Sequence, residues 1–184
     1  MSLNAYNSSS TRREDWCTPD WLFNKLDAIF DFKIDLAANG ENTKCGLYVN
    51  DFFGCYLNSS IKNDYSQVWK WCNPPYNRDI SYWVNSLLSL TRIVVLLPAN
   101  VGAKNFSGVW SKADAIWFLN KRLSFKGAKW CAKFDSCIAI KGHYPILGGD
   151  SLEAHLTNRT FHNLLVEGAT SFGTVIYKSG ISII

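Results

Sequence analysis

The fold is decided by residues 68–88, VWKWCNPPYNRDISYWVNSLL, in which three local signals follow one another along the chain. Residues 68–72 are mostly apolar and predict a buried strand. The strand ends at residues 73–76, Asn-Pro-Pro-Tyr, because two prolines cannot continue the hydrogen-bonded ladder of a central strand. The following residues predict an amphipathic helix, since apolar side chains recur at spacings of three and four. These side chains are Ile80, Trp83, Val84, Leu87 and Leu88.

A second helix is predicted near the N-terminus. Thr18 and Pro19 mark its start, because threonine caps free N–H groups and proline fits the first helical position. Leu22, Leu26 and Ile29 then form one apolar stripe, as expected for a helix that covers a sheet. The sequence therefore predicts a helix that begins at Thr18 and Pro19.

Further strands are predicted from short apolar or alternating runs. Three of them lie at residues 32–36, 93–97 and 115–119. We expect residues 122–126 and 136–141 to pair with each other as a C-terminal hairpin. Strands that alternate with helices indicate an α/β fold, with a mostly parallel sheet and helices on both faces.

The two ends of the chain carry weaker signals. Residues 1–14 are polar without apolar periodicity and predict a flexible arm, which leaves residues 15–184 as one domain. Within that domain, residues 145–184 contain a weak helical pattern at 151–166 and a β-prone end. The role of this last segment stays open.

The composition excludes several classes of protein. Apolar residues make up 47% and charged residues 18% of the 184 residues, which excludes an intrinsically disordered chain. No apolar run approaches the roughly 20 residues that span a bilayer, and the polar N-terminus is unlike a secretory signal. A cytosolic protein is therefore expected. The six cysteines form no Cys-x-x-Cys pair, which predicts reduced thiols rather than a metal site.

The positive charge is concentrated in one stretch. The formal net charge is +4, and residues 104–141 hold eight Lys or Arg side chains against Asp114 and Asp135. Such a concentration is typical of a surface that binds phosphates. Charge alone leaves an ordinary solvated surface as the alternative.

Two turns at predicted strand ends carry the chemical signal, since ligands of open α/β sheets bind beyond the carboxyl ends of the strands. One is residues 35–38, Asp-Leu-Ala-Ala, and the other is residues 73–76. In the second turn the prolines fix backbone carbonyls, Asn73 adds an amide oxygen and Tyr76 adds an aromatic face. Two acceptors beside a stacking surface suit a planar base with an exocyclic amino group.

Residues 73–76 resemble the catalytic motif of methyltransferases that act on the amino group of adenine in DNA. The surrounding motifs narrow this resemblance to the phage Dam-type DNA N6-adenine methyltransferases. These motifs are residues 15–19 (Asp-Trp-Cys-Thr-Pro), 34–39 (Ile-Asp-Leu-Ala-Ala-Asn), 64–65 (Asp-Tyr) and 122–125 (Arg-Leu-Ser-Phe). The resemblance covers residues 14–141. It implies a Rossmann-like class I methyltransferase fold, S-adenosylmethionine as the cofactor and double-stranded DNA as the substrate, with no metal and no membrane.

The resemblance also implies the site residues. The catalytic turn comprises Asn73, Pro74, Pro75 and Tyr76. In it, Asn73 and the Pro74 carbonyl accept the hydrogens of adenine N6, and Tyr76 stacks on a base that has left the duplex. The implied cofactor contacts are Trp16, Thr18, Pro19, Asp35, Leu36, Ala37 and Asp64. Asp51 is an alternative to Asp64 for the contact with the adenine or ribose of the cofactor. Trp83 is either a further wall of the cavity or a core residue. The candidate DNA contacts are Lys104, Lys121, Arg122 and Lys126.

The chain departs from the family pattern in two ways. It lacks the glycine-rich turn usual for methyltransferases, since residues 35–40 contain only Gly40, and it has no long insertion for a separate target-recognition domain. The motif by itself does not separate DNA from RNA or from a protein amino group. A catalytically silent nucleic-acid-binding protein of the same fold is a further alternative. The sequence leaves the oligomeric state open.

Overall fold

The computed structural model describes residues 16–57, 64–142 and the backbone of 173–177, and within them the chain forms a seven-stranded mixed sheet. The strands are β1 (Ile34–Asp35), β2 (Leu47–Tyr48), β3 (Lys70–Cys72), β4 (Ile93–Pro98), β5 (Ala115–Leu119), β6 (Ser136–Lys141) and β7 (Gly173–Tyr177). The described helices are α1 (Asp20–Phe30), α2 (Phe52–Leu57), α3 (Ile80–Leu87) and α4 (Ser107–Lys112), with a 3₁₀ turn at Lys104–Phe106.

The sheet has a parallel half and an antiparallel half. Its strand order is β2-β1-β3-β4-β6-β5-β7. Strands β2, β1, β3 and β4 run parallel, whereas β6 is antiparallel to β4 and β5, and β7 is antiparallel to β5. The predicted α/β class is therefore confirmed. No structural relative tests the finer assignment to the Rossmann-like methyltransferase fold, which stays a prediction.

One edge of the sheet collects the two turns that the sequence analysis singled out. Strands β1, β3 and β4 all end there, and we call it the carboxyl edge. Pro98 at the end of β4 lies opposite Ser136 at the start of β6, and Phe118 near the end of β5 lies opposite Cys137. The connection between β5 and β6, residues 120–135, therefore lies at the same edge as the turn after β3.

Both faces of the sheet are covered by helices, as predicted. Along β4, Val94 and Leu96 belong to the core under α1, whereas the alternate residues belong to the core under α2, α3 and α4. This alternation follows from the two-residue period of a strand. Each buried aliphatic side chain contributes roughly 1.5–3 kcal/mol, so the two cores fix the sheet firmly beneath the carboxyl edge.

Two of the predicted local features are wrong. Residues 122–126 do not pair with β6, because both edges of β6 are occupied by β4 and β5. Instead, Lys126 exchanges backbone hydrogen bonds with Cys17, at N···O distances of 3.0 and 3.3 Å. Helix α1 begins at Asp20 with Pro19 as its cap residue, and no side-chain cap is made. Thr18, the expected cap, is buried instead.

Other predictions from the sequence concern residues that the structure does not describe. The predicted arm at 1–14 and the weak helix at 151–166 lie outside the described residues, and the division into an arm and one domain stays a prediction. Within the described residues, all six cysteines are free thiols and no group of three metal-ligating side chains occurs. No helix in that part of the chain is both long and apolar enough to cross a membrane.

Candidate active site

A cleft of about 270 Å³ opens at the carboxyl edge, where β1 and β3 end. It is lined by Ala37, Ala38, Asn39, Asn42, Asn50, Asn73, Pro75, Asn77 and Trp83. Five of these residues are asparagines, whose amides both donate and accept hydrogen bonds. Trp83 adds an apolar wall and also stacks on Phe52 in the core, with ring centroids 4.9 Å apart. The lining suits a ligand that combines hydroxyl or amino groups with an apolar part.

Asn73 is held in one orientation at the mouth of this cleft. Its Nδ2 donates to the carbonyl oxygen of Trp16 at 3.0 Å. Its Oδ1 accepts from the hydroxyl of Tyr76 at 2.8 Å, and that hydroxyl also lies 3.3 Å from the carbonyl oxygen of Leu96. Burial raises the pKa of Tyr76 well above its ordinary value, so the hydroxyl stays protonated and remains a donor. The amide oxygen of Asn73 is therefore fixed as an acceptor.

The two hydrogen-bond partners of Asn73 belong to a group of four aromatic residues that contact one another, and we call Trp16, Tyr76, Phe125 and Phe134 the aromatic cluster. Trp16 stacks on Phe125 and Phe134, with centroid distances of 5.3 and 6.5 Å. Tyr76 meets the same two phenylalanines edge-on, at 6.1 and 5.5 Å. The predicted site residues Trp16 and Tyr76 are thus brought together, but Trp16 joins the aromatic cluster and does not line the cleft.

The Asp35 carboxylate is buried behind the cleft. It is 3% exposed, and its two oxygens accept from the backbone N–H groups of Ala37 and Lys44, each at 3.2 Å. Burial raises the pKa of Asp35 to about 6, against the effect of these two hydrogen bonds. The carboxylate therefore shapes the turn after β1, in which Leu36 is buried and Ala37 lines the cleft.

The two candidate ribose-binding acids lie in different places. Asp51 lies three residues after the end of β2, next to the cleft residue Asn50, and its Oδ1 accepts from the N–H of Gly54 at 3.0 Å. Asp64 is exposed and precedes β3, whose amino end is at the opposite edge of the sheet. The structure brings Asp51 to the carboxyl edge and does not bring Asp64 to the cleft.

The cations of residues 104–141 divide between the two edges of the sheet. Those on connections at the carboxyl edge are exposed, and they are Lys104, Lys121, Arg122, Lys126, Lys129 and Lys133. Within this group, Lys121 lies 4.9 Å from the ring centroid of Trp21, and Arg122 pairs with Asp135 at 3.3 Å. Lys112 and Lys141 lie toward the opposite edge and bind the α3 segment and Asp114, respectively. All four predicted DNA contacts belong to the first group.

Sequence reasoning missed several lining residues. Asn39 ends the motif at residues 34–39 but was not assigned to the site, whereas Asn42, Asn50 and Asn77 come from three separate connections and belong to no quoted motif. Phe134 was also missed, since nothing near it in sequence marks it as a partner of Trp16. The signal that was available is the recurrence of asparagine after strands, where an amide can face a ligand.

Comparison with known proteins gives the family. A family model described as DNA N-6-adenine-methyltransferase (Dam) matches residues 6–141. The chain belongs to this family. The Dam-family chain is also similar to a DNA N-6-adenine-methyltransferase of Haemophilus phage HP1 (strain HP1c1), with 28% identity over 127 residues, 64% of this chain and 70% of the relative. No solved structure matches it.

Membership in the Dam family decides between the alternatives that the motif left open. The Dam-family chain is an adenine-specific DNA methyltransferase, and the resemblance drawn from residues 14–141 is confirmed. A methyltransferase for RNA or for a protein amino group is not favoured, and neither is a silent binding protein.

Proposed function

We propose that the cleft holds S-adenosylmethionine and that Asn73 orients the N6 amino group of an adenine that has left the duplex. The observation that carries this proposal is the position of Asn73. It lines the cleft, and its side chain is hydrogen-bonded to Trp16 and Tyr76 of the aromatic cluster. One side chain therefore faces both the cofactor cleft and the rings on which a base can stack.

The residues of the cleft fit this cofactor. S-adenosylmethionine, when bound, supplies an activated methyl group on a sulfonium. The asparagine amides offer partners for its ribose hydroxyls and its amino-acid end, and Trp83 offers an apolar wall. Asp35 supplies negative charge beneath the turn that carries Ala37, which favours a cationic ligand there. Small side chains at Ala37 and Ala38 take the place of the usual glycine-rich turn.

Asn73 has the acceptor capacity that the reaction needs. The lone pair of adenine N6 is delocalised into the ring, so acceptors for its two hydrogens favour a pyramidal, more nucleophilic nitrogen. Asn73 Oδ1 has two lone pairs, of which the Tyr76 hydroxyl takes one and leaves one for an N6 hydrogen. We assign the second hydrogen to the Pro74 carbonyl. The Trp16 carbonyl keeps Nδ2 turned away, so the oxygen faces the base.

The aromatic cluster and the exposed cations form the surface to which we assign DNA binding. Edge-on contacts with Phe125 and Phe134 fix the Tyr76 ring, which leaves an aromatic surface for a flipped-out adenine. Lys104, Lys121, Arg122 and Lys126 lie at the same edge and would neutralise phosphates on either side of the target base. Positioning by these contacts supplies much of the rate acceleration.

Replacing Asn73 by alanine tests the proposal. Asn73→Ala should lower the rate of methyl transfer by about 10²–10³-fold, because a positioned acceptor at the reacting centre is worth roughly 3 kcal/mol. Labelled S-adenosylmethionine, duplex DNA and nucleoside analysis measure the transfer, and calorimetry should show nearly unchanged cofactor affinity. Asn24→Ala, on the exposed side of α1, is the matched control. Near wild-type methylation by Asn73→Ala would refute the assignment.

A further inference from the structure

The connection between β5 and β6 carries a rigidly anchored tip, residues 126–134, which we call the tryptophan loop. Its first residue is bonded to Cys17 through two backbone hydrogen bonds, and Ala128 N–H donates to the carbonyl oxygen of Phe125 at 3.1 Å. Near its end, Ala132 is buried and its N–H donates to the carbonyl oxygen of Leu123 at 2.8 Å. Gly127 makes the turn possible, with a φ of 89° that other residues rarely adopt.

This anchored loop presents Trp130 to solvent. Trp130 is 75% exposed, which is the largest value among the big apolar side chains that the structure describes. The Lys129 ammonium lies 5.7 Å from its ring centroid. An exposed tryptophan beside lysines on an anchored loop is typical of surfaces that bind nucleic acid, in which basic side chains contact the backbone and aromatic rings stack on bases.

The loop is continuous with the proposed base site. Trp130 lines another cavity, of about 170 Å³. Its walls include Trp16 and Phe134 of the aromatic cluster, together with Lys129 and Lys133. Trp16 therefore connects this cavity to the proposed base site, because it lines the cavity and its carbonyl oxygen accepts a hydrogen bond from Asn73 Nδ2.

We infer that Trp130 enters the duplex beside the target adenine and fills the stacking space which that base leaves, while Lys129 and Lys133 bind the flanking phosphates. Proteins that kink or open DNA insert apolar side chains between base steps in this way. The inference rests on the proposed function, because only a base that leaves the duplex leaves such a space. Trp130 is a positioning residue, since it acts on the DNA and not on the reacting atoms.

The surrounding charge identifies duplex DNA as the partner of this surface. The connection at residues 120–135 carries five cations against the single carboxylate of Asp135, which already pairs with Arg122. An apolar ring surrounded by lysines matches bases between two phosphate strands. A neutral or basic protein surface would leave these lysines without partners.

The test compares Trp130→Ala with wild type on two duplexes. One holds the target adenine in a normal pair, and the other holds it opposite an abasic site, where leaving the stack costs least. Trp130→Ala should lower kcat/KM about 10- to 100-fold on the first duplex, the range for loss of one stacked aromatic ring. It should lower kcat/KM by less than about threefold on the second, and Trp130→Phe should restore most of the loss.

Two further measurements make the outcome decisive. Fluorescence of 2-aminopurine at the target position should rise on binding wild type and should rise less with Trp130→Ala. Trp110→Ala, which removes another partly exposed tryptophan outside both cavities, is the control and should leave both readouts unchanged. Equal losses on the two duplexes, or no loss on either, would overturn the role of Trp130. A wild-type chain that methylates neither duplex would instead overturn the proposed function.

Discussion

Asp35→Asn tests whether the buried carboxylate of Asp35 strengthens cofactor binding and also destabilises the folded protein. The pKa of Asp35 is raised to about 6 from an ordinary value of 3.8, because burial removes the carboxylate from water. The folded protein therefore holds this proton more tightly than the unfolded chain does. The stability that the proton provides is complete below about pH 3.8 and is lost as the pH rises through 6.

The size of the effect follows from the pKa. A shift from 3.8 to about 6, at 1.36 kcal/mol per pKa unit, makes ionised Asp35 destabilising by about 3 kcal/mol at pH 7. Most of this change falls between pH 4 and pH 7. For a chain of this length, each kcal/mol moves Tm by roughly 2–4 °C, so the pH-dependent part should amount to roughly 5–10 °C.

Thermal unfolding of the cofactor-free protein between pH 4 and pH 7 measures this dependence. The difference in the free energy of unfolding between wild type and Asp35→Asn should change by about 2–3 kcal/mol over that range. Asp79→Asn, which replaces an exposed carboxylate at the start of α3, is the control for the substitution itself. A flat difference for Asp35→Asn would refute the reasoning.

Cofactor binding supplies the other half of this prediction. Ionised Asp35 attracts a cationic ligand, so calorimetry should show wild-type affinity for S-adenosylmethionine rising as the pH increases from 5 to 7. Asp35→Asn should bind about 10- to 100-fold more weakly at pH 7, the range for a hydrogen bond to a charged group, and without this pH dependence. Unchanged affinity at pH 7 would leave Asp35 as a residue that only shapes the turn.

Two further predictions concern the base site and the DNA surface. Tyr76→Phe removes the hydroxyl that bonds to Asn73 Oδ1 at 2.8 Å, so kcat should fall about fivefold to tenfold, as expected from roughly 1 kcal/mol, while calorimetry shows unchanged cofactor affinity. An unchanged kcat would show that this hydroxyl does not orient the amide. For DNA binding, we count one phosphate contact for each of the six exposed cations at the carboxyl edge. A plot of the logarithm of the binding constant against the logarithm of the salt concentration should then have a slope of about −5. The double variant Lys121→Ala and Arg122→Ala should make this slope shallower by up to about two, and the control Lys112→Ala should leave it unchanged. A wild-type slope near zero would contradict the assignment of these cations to DNA binding.

The central strand, turn and helix were predictable because their signals are local. Strand β3 and helix α3 lie within the predicted segments, and the two prolines separate them as expected. Trp83, Val84 and Leu87 are buried, as their spacing requires. Strands β4, β5 and β6 were recognised for the same reason, since a buried strand is a short apolar run with clear ends.

Pairing and site assembly were not predictable because they join distant segments. Residues 122–126 alternate like a strand, and only the structure shows that β6 is paired on both sides and that Lys126 is bonded to Cys17. Strand β2 has two residues and no apolar period, so it was missed. The hydrogen bond from Asn73 to Trp16 joins residues that are 57 positions apart, so no local sequence pattern predicts it.

The connection at residues 120–135 combines anchored ends with an exposed tip. Its ends are fixed by the pairing of β5 with β6, and Leu123, Phe125 and Ala132 hold it to the core. Its tip carries Lys129, Trp130 and Cys131, which are exposed. We therefore expect substitutions at this tip to change DNA binding while the fold stays intact, because surface loops tolerate changes that core positions do not.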